Sequence, residues 1–284
     1  MSKYKEKAMK AIFASAAAVS MAAVAVICIF LLIKGIPALR ETGPVKFITG
    51  RLWLPGEGIY GILPMIASGA YITAGAMITG APVGLLCAIF LARFCPGRLY
   101  GPLKAAVELM AGIPSIVYGF FGLKTLVPLV QGFTGGTGKG IVTASILLGI
   151  MILPTIIIVT EAALRAVSED CYRGARALGA THEQSVFFTV LPAARQGVVT
   201  GLVLGMGRAA GETMAVVMVA GNQAVFPDSV FSGVRTLTAN IVLEMGYAGE
   251  GMHRDALMAS ALVLLVFVML INTSLALLKE ERDI

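Results

Sequence analysis

Charged side chains are scarce in this sequence. Asp, Glu, Lys and Arg together make up 13% of the 284 residues, whereas a soluble globular protein usually carries about 25%. Hydrophobic residues make up 57%, and the mean hydropathy is +0.87. A chain of this length has no interior large enough to hide so much apolar surface from water, so its solvent must be lipid. The scarcity of charge therefore excludes an ordinary soluble protein and predicts an all-α polytopic membrane protein.

Residue types that carry metal, redox and hydrolytic chemistry are equally sparse. The chain has two histidines, which excludes a histidine-rich metal site. Its four cysteines are far apart and form no CxxC pair, Cys/His metal spacing or disulfide framework. No Ser/His/Asp or HExxH arrangement is present, so an intramembrane enzyme is a weak alternative. The net charge of +6 comes without a basic stripe interleaved with aromatic residues, which argues against nucleic-acid binding.

Long apolar runs are what the sequence does have. Each is long enough to cross a bilayer as a helix of about 20 residues. The six runs lie at about 11–33, 62–92, 105–130, 141–164, 198–220 and 256–278. The first is too long for a signal-peptide core, so we interpret it as a retained transmembrane helix that ends at Lys34-Gly-Ile-Pro37. We therefore expect an N-terminal tail, first helix and external loop over 1–60, and a transmembrane domain over 61–280.

Lysine and arginine predict the orientation of the chain. With the N-terminus inside, thirteen basic residues fall in cytoplasmic segments and seven fall outside, as the positive-inside rule requires. The cytoplasmic set is Lys3, Lys5, Lys7, Lys10, Arg93, Arg98, Lys104, Arg165, Arg173, Arg176, Arg195, Lys279 and Arg282, and the external set is Lys34, Arg40, Lys46, Arg51, Lys139, Arg235 and Arg254. Both termini are therefore predicted to be cytoplasmic.

Two charged residues lie inside the fifth apolar run. Arg208 and Glu212 each cost about 2.5–3.5 kcal/mol at mid-membrane, and four residues apart on a helix they share a face and can pair. Counted from Gly197, Arg208 lies about 17 Å along the helix, close to mid-membrane. The surrounding glycines let a helix or a ligand approach closely. We interpret the pair as a charged site on a polar pathway, with a structural ion pair as the alternative.

Other apolar runs contain prolines and polar side chains that bear on such a pathway. Pro82, Pro114 and Pro154 predict interrupted or kinked helices, which either form part of a binding site or are packing kinks. The interruption in the second run is expected at Gly80-Ala-Pro82. Three side chains are candidate secondary donors to a ligand, with packing or helix capping as the alternative for each: Ser115, Tyr118 and Asn222.

The segment between the fourth and fifth runs, about 165–196, is too long and too polar for a simple turn. Ser168-Glu-Asp170 and Thr181-His-Glu-Gln184 are helix-start signals, and Leu191-Pro192 is expected to end the second helix. Two short helices separated by Gly179 suit docking into a groove on a cytoplasmic partner. The alternative is an amphipathic pair that lies on the membrane surface.

This segment resembles the cytoplasmic coupling loop of bacterial ATP-binding-cassette (ABC) importer permeases. That pattern reads Glu-Ala-Ala, three residues, Gly, nine residues, Ile, any residue, Leu-Pro. Here Gly179 and Leu191-Pro192 fall at the required spacing, with Thr189 at the Ile position. The Glu-Ala-Ala position is occupied by Arg173, Gly174 and Ala175.

Further stretches resemble one subfamily, the phosphate-specific permeases. They are Tyr60-Gly-Ile-Leu-Pro64, Ala111-Gly-Ile-Pro-Ser-Ile-Val-Tyr-Gly119, Gly207-Arg-Ala-Ala-Gly-Glu-Thr213, and Arg235-Thr-Leu-Thr-Ala-Asn-Ile241 with Glu244-Met-Gly246. The region from Trp53-Leu-Pro55 to Pro64 favours the PstC-like member of the permease pair over its PstA-like partner.

The resemblance implies a type I ABC importer permease (MetI-like) fold with six transmembrane helices, in a bacterial cytoplasmic (inner) membrane. It implies import of inorganic phosphate, with Arg208 and Glu212 on the substrate path and no cofactor. The implied partners are a second, PstA-like permease, two cytoplasmic ATPase subunits and an external phosphate-binding protein. A permease for sulfate or molybdate stays open as an alternative, as does a passive anion channel that works alone and would not need the 179–192 loop.

Overall fold

Helices long enough to cross a membrane dominate the computed structural model, which describes residues 3–280. Residues 1–2 and 281–284 lie outside that range, and with them Arg282, which counts toward the predicted orientation. Among the described residues, the apolar spanning helices are Met9–Thr42, Leu63–Phe94, Ser115–Thr134, Ile141–Ala166 and Met252–Leu270. His182–Ala193 and Arg195–Gly211, bent by 72°, together make a sixth candidate. The prediction of an all-α polytopic fold is confirmed.

The first sixty residues pack against the last helix. They form α1 (Lys3–Thr42), α2 (Pro44–Thr49) and a small antiparallel pair of strands, β1 (Trp53–Leu54) and β2 (Ile59–Tyr60), and they meet α14 (Met252–Glu280). The expected end of the first helix at Lys34-Gly-Ile-Pro37 is wrong, because α1 continues to Thr42. A Cβ on Gly35 would stand 3.1 Å from the Ala259 Cα, so this turn of α1 lies directly on the α14 backbone.

The next part of the chain surrounds a central helix, α7 (Ile141–Ala166). Before it come α3 (Leu63–Ile89, extended by a π-helical turn at Phe90–Phe94), α4 (Gly97–Gly112), α5 (Ser115–Phe121), a π-helical turn at Gly122–Leu126 and α6 (Val127–Thr134). Buried side chains of α3, α5, α7 and the chain after Arg208 share one apolar core. Because α7 contacts both α3 and the later helix Arg195–Gly211 extensively, it is the element on which the other helices are placed.

Prolines divide these helices at one of the three predicted places. The expected interruption at Gly80-Ala-Pro82 is wrong: α3 runs through it, and a Cβ on Gly80 would stand 2.5 Å from the Gly149 carbonyl oxygen of α7. Close packing on α7 holds the helix although Pro82 lacks one backbone donor. Pro154 likewise lies inside α7. Pro114 does divide the third run, because it has extended backbone angles and precedes α5 directly.

The remaining elements form the polar segment and the broken fifth span. They are α8 (Glu169–Ala177), α9 (His182–Ser185), a π-helical turn at Val186–Val190, α10 (Leu191–Ala193), α11 (Arg195–Gly211), α12 (Met214–Val219) and α13 (Leu237–Met245). The fifth run, expected to be one helix over 198–220, is interrupted at Glu212-Thr213. This break lies beside Arg208 and shapes the candidate site.

Candidate functional site

A line of glycines fixes α11 against α7. Gly197, Gly201 and Gly205 are spaced four residues apart, so they lie on one face of α11. A Cβ on Gly201 would stand 2.7 Å from the Thr160 hydroxyl, and one on Gly205 would stand 2.8 Å from the Ile156 side chain. Small residues at this spacing let two membrane helices approach closely. Gly207 has open space around it, so the next turn of α11 is free for polar side chains.

Arg208 lies on that turn, half-buried between α11 and α7. Its Nη1 donates a hydrogen bond of 3.2 Å to the Thr155 hydroxyl in α7. Nearby in α5, the Tyr118 hydroxyl donates to the Met110 carbonyl oxygen at 3.0 Å. A guanidinium has five N–H donors, so a single hydroxyl acceptor leaves most of them for another group.

Glu212 does not pair with Arg208 as the sequence analysis expected. The helix ends at Gly211, and Glu212 has extended backbone angles, so the two side chains do not share a helix face. The Glu212 carboxylate instead accepts a 3.1 Å hydrogen bond from the Ala215 amide, and its carbonyl oxygen accepts one from the Thr238 hydroxyl, also at 3.1 Å. Within 3–280, no ion pair shorter than 4 Å joins Arg208 to an acid. Glu212 therefore holds the start of α12.

The two other predicted pathway residues lie in separate places. Ser115 is the first residue of α5, half-buried directly after the break at Pro114. Asn222 follows α12, where its Nδ2 donates to the Val217 carbonyl oxygen at 2.8 Å. The helix-capping alternative therefore describes Asn222, and α12 separates it from Arg208. Asn222 also has a left-handed backbone, with φ of 57°, and the hydrogen bond to the helix end accounts for this conformation.

Asn222 lines a polar cavity of about 490 Å³. Its centre is Glu244, which accepts from Arg235 Nη1 at 2.6 Å and from Trp53 Nε1 at 2.8 Å, and which lies 2.9 Å from His253 Nε2. These contacts join β1, α13 and α14. No role was predicted for Arg235 or Glu244 from the sequence. Arg235 and Glu244 pair with each other and fix the loop after α12, whereas Asn222 Oδ1 and Asn240 Nδ2 beside them are buried without a hydrogen-bond partner among the described residues.

The polar segment after α7 has the predicted helix starts. The Ser168 hydroxyl accepts from the Asp170 amide, and Thr181 with Gln184 forms a complete capping box. At the end of α8 the Ala180 amide donates to the Ala175 carbonyl oxygen and the Gly179 amide to that of Arg176, which is a Schellman motif. Gly179 has φ of 89°, a left-handed conformation that favours glycine.

The coupling residues predicted in this segment lie on its surface. Arg173, Gly174, Gly179 and Pro192 are exposed, and Ala175 and Leu191 are half-buried. The expected helix end at Leu191-Pro192 is wrong by a short distance, because the helix continues to Ala193. Pro192 lies in the first turn of α10, where its missing N–H is tolerated. Three large apolar side chains are also exposed here: Leu178, Phe187 and Phe188.

A buried acid joins α7 to α4, a role that was not predicted from the sequence. Glu161 of α7 has 2% exposure and accepts from Tyr100 Oη at 2.9 Å, from Lys104 Nζ at 2.6 Å and from Arg165 Nε. The hydrogen bond to Glu161 raises the pKa of the Tyr100 phenol. Arg165 Nη2 also donates to the Leu91 carbonyl oxygen at 3.0 Å. An acid four residues before a base was the available signal, since that order stabilises a helix.

Comparisons with known proteins agree with this geometry. The family model described as "Binding-protein-dependent transport system inner membrane component" matches residues 80–280. The Bacillus subtilis "Probable ABC transporter permease protein YqgH" is 37% identical over 279 residues, which cover 96% of this chain and 90% of that protein. The Haemophilus influenzae "Phosphate transport system permease protein PstC" is 35% identical over 282 residues, which cover 91% of this chain and 88% of that protein.

Solved structures of transporters share the fold. A chain of the inward-facing MetNI methionine ABC transporter aligns with a TM-score of 0.60 at 22% identity, covering 80% of this chain and 97% of that chain. A chain of the bacterial alginate ABC transporter in complex with a pentasaccharide-bound periplasmic protein aligns with a TM-score of 0.60 at 13% identity, covering 95% and 96%. At these identities the likeness concerns the fold alone, and it confirms the predicted MetI-like architecture.

Proposed function

Because the chain belongs to the family of binding-protein-dependent transport system inner membrane components, we propose that it is a transmembrane permease subunit of an ABC importer that moves inorganic phosphate into the cytoplasm. The observation that carries the proposal is the 35% identity to a phosphate transport permease over 91% of the chain. ATP hydrolysis takes place on partner subunits, and this chain is a transport subunit and not an enzyme.

Arg208 is the residue that meets the substrate in this proposal. Phosphate at neutral pH carries one to two negative charges, and a guanidinium presents a fork of donors that matches two of its oxygens. Thr155 orients this fork through one hydrogen bond without neutralising it. Glu212 acts as a positioning residue: it caps α12, and so fixes the break in the chain four residues after Arg208. Ser115 is a further candidate donor at the neighbouring break.

The proposed complex has a second, PstA-like permease, two cytoplasmic ATPases and an external phosphate-binding protein, with both termini of this chain in the cytoplasm. The ATPase docks on the polar segment after α7, at about 165–196, which we call the coupling segment. The exposed apolar side chains of Leu178, Phe187 and Phe188 suit a groove on the surface of the ATPase. Arg93, at the end of the span Leu63–Phe94, pairs with Glu169 of α8 at 3.3 Å, and this ion pair joins the segment to the membrane helices. Movement of the ATPases is thereby transmitted to the membrane helices.

Transport by the reconstituted complex tests the function. Vesicles that contain both permeases and the ATPases, with the binding protein outside and ATP inside, are expected to accumulate radiolabelled phosphate. Unlabelled phosphate should compete, whereas sulfate and molybdate in the same excess should not. Preferential uptake of sulfate or molybdate would assign another oxyanion. Uptake by this chain alone, without ATPase or ATP, would establish the stand-alone channel instead.

Replacement of Gly179 tests the docking segment separately. Gly179→Val forces a β-branched side chain into a left-handed conformation, at a cost of about 1–3 kcal/mol, and is expected to reduce copurification of the ATPase at least about fivefold. Gly101→Leu is the matched control, because Gly101 also has open space around it but lies in the helix α4. Normal copurification of the Gly179 variant would remove the docking role from this segment.

A further inference from the structure

A second cation lies at mid-membrane, and it is a lysine. Lys124 is the tenth of the 20 residues of the span Ser115–Thr134, so it lies about 13 to 15 Å from either end at 1.5 Å per residue. The hydrocarbon core of a bilayer is about 30 Å thick, which places Lys124 near its centre. The span contains no Asp or Glu. Near a helix end a lysine reaches the headgroups, but the middle of a span offers no such route.

Lys124 lies on the outer face of its span. The inner face packs so closely that a Cβ on Gly119 would stand 3.0 Å from the Ala215 Cα, and one on Gly122 would stand 2.9 Å from the Leu147 side chain. Lys124 belongs to the opposite, exposed face, with Val117 and Phe121 at helical spacing. The side chain thus points away from the bundle that this chain forms alone.

The structure gives Lys124 no compensating group. Within residues 3–280 it makes no hydrogen bond or ion pair. It also lies inside the π-helical turn Gly122–Leu126, and such distortions are frequent at functional sites. A charged side chain that faces lipid at mid-depth is costly, and residues of this kind normally face a bundle interior or a polar cavity. The exposed face of this span is therefore covered by something polar in the assembled transporter.

We propose that Lys124 faces the substrate path between this chain and the second permease and is a second cationic contact for the travelling oxyanion. The proposal rests on the transport function proposed above. In this proposal Lys124 and Arg208 are two separate cationic contacts along the path. An ammonium is a compact point charge, so Lys124 attracts the oxyanion by charge without selecting among tetrahedral oxyanions.

Neutral and charge-conserving variants in the reconstituted complex test the proposal. Lys124→Met is expected to raise the KM for phosphate about tenfold, as expected when a charge-assisted contact is lost, whereas Lys124→Arg stays within about threefold of the unmodified complex. Lys46→Gln, which removes an exposed positive charge from α2, is the control and leaves the KM unchanged. An unchanged KM for Lys124→Met would overturn the proposal. Absence of phosphate uptake by the unmodified complex would instead overturn the transport function.

Accessibility gives a readout that does not depend on transport. After replacement of the four native cysteines, Lys124→Cys is expected to react with a membrane-impermeant cationic thiol reagent, and phosphate should slow the reaction. Val24→Cys on the exposed face of α1 is the lipid-facing control and should not react. An unreactive Lys124→Cys overturns the proposal. So does assembly that fails for Lys124→Met and Lys124→Cys but succeeds for Lys124→Arg, since that pattern indicates an ion pair with the partner chain.

Discussion

Two charged residues at α7, Glu161 and Arg208, differ in how their charges are compensated. Glu161 is 2% exposed and receives hydrogen bonds from three side chains, two of them cationic. Arg208 reaches α7 at Thr155, six residues and about 9 Å away along the helix, and receives one neutral partner. The fold therefore neutralises the acid near the end of α7, whereas the cation deeper in the span has no carboxylate partner among the residues that the structure describes.

The contrast separates a structural charge from a functional one. A buried charge is held when its partners match it, and removal of one partner is strongly destabilising. A cation left without such a partner at mid-membrane is a functional-site hypothesis by default. Glu161 belongs to the first class, and Arg208 is our proposal for the second. The sequence alone could not predict this difference, because both residues are simply charged residues within apolar runs.

The largest expected effect is on Arg208. Arg208→Gln keeps a hydrogen-bond donor for Thr155 but removes the charge, so phosphate uptake by the reconstituted complex should fall at least about a hundredfold. Copurification with the ATPase and thermal stability should stay the same, because Arg208 forms no ion pair with an acid in the described part of the chain. Uptake near the unmodified rate would remove Arg208 from the substrate path. A variant that fails to assemble would move Arg208 into the structural class.

Glu161 is expected to show the reverse pattern. Glu161→Gln leaves Lys104 and Arg165 without a counter-charge, and because their side chains are 21% and 45% exposed, water offsets part of the loss. We expect a drop in stability of about 2 kcal/mol, below the range for fully buried pairs. Thermal unfolding of the purified complex measures it, with uptake per folded complex largely kept. Loss of uptake without loss of stability would contradict the structural assignment.

The parts of the fold that follow from local chemistry were predicted from the sequence. The helix starts at Ser168 and Thr181 depend on a side chain and an amide two or three residues away, and both are confirmed. The break at Glu212 depends on contacts with Ala215 and on Thr238, which lies 26 residues further along the chain. The hydrophobic periodicity of a segment does not report such a distant contact. The fifth run was therefore predicted as one helix, and Arg208 and Glu212 were predicted to pair on it.

Lys104, one of the three side chains that donate to Glu161, gives a test with a smaller expected effect. Lys104→Met removes one donor and leaves Glu161 with Tyr100 and Arg165, so the acid stays paired. We expect a loss of about 1 kcal/mol, measured in the same thermal unfolding experiment. A loss as large as that of Glu161→Gln would show that Lys104 alone compensates the acid. Equal stability to the unmodified complex would assign that role to Arg165.

The smallest expected effect decides what Glu212 does. The Gln side chain in Glu212→Gln still accepts a hydrogen bond from the Ala215 amide, and only the attraction of a negative charge to the α12 N-terminus is lost, at about 0.5 kcal/mol. Uptake should therefore stay within about threefold, measured beside Arg208→Gln in one vesicle preparation. Glu212→Ala removes the cap as well and should cost about 1 kcal/mol. A loss of uptake in Glu212→Gln as deep as that of Arg208→Gln would mean that the acid pairs with the arginine during transport, in a conformation in which α11 continues past Gly211.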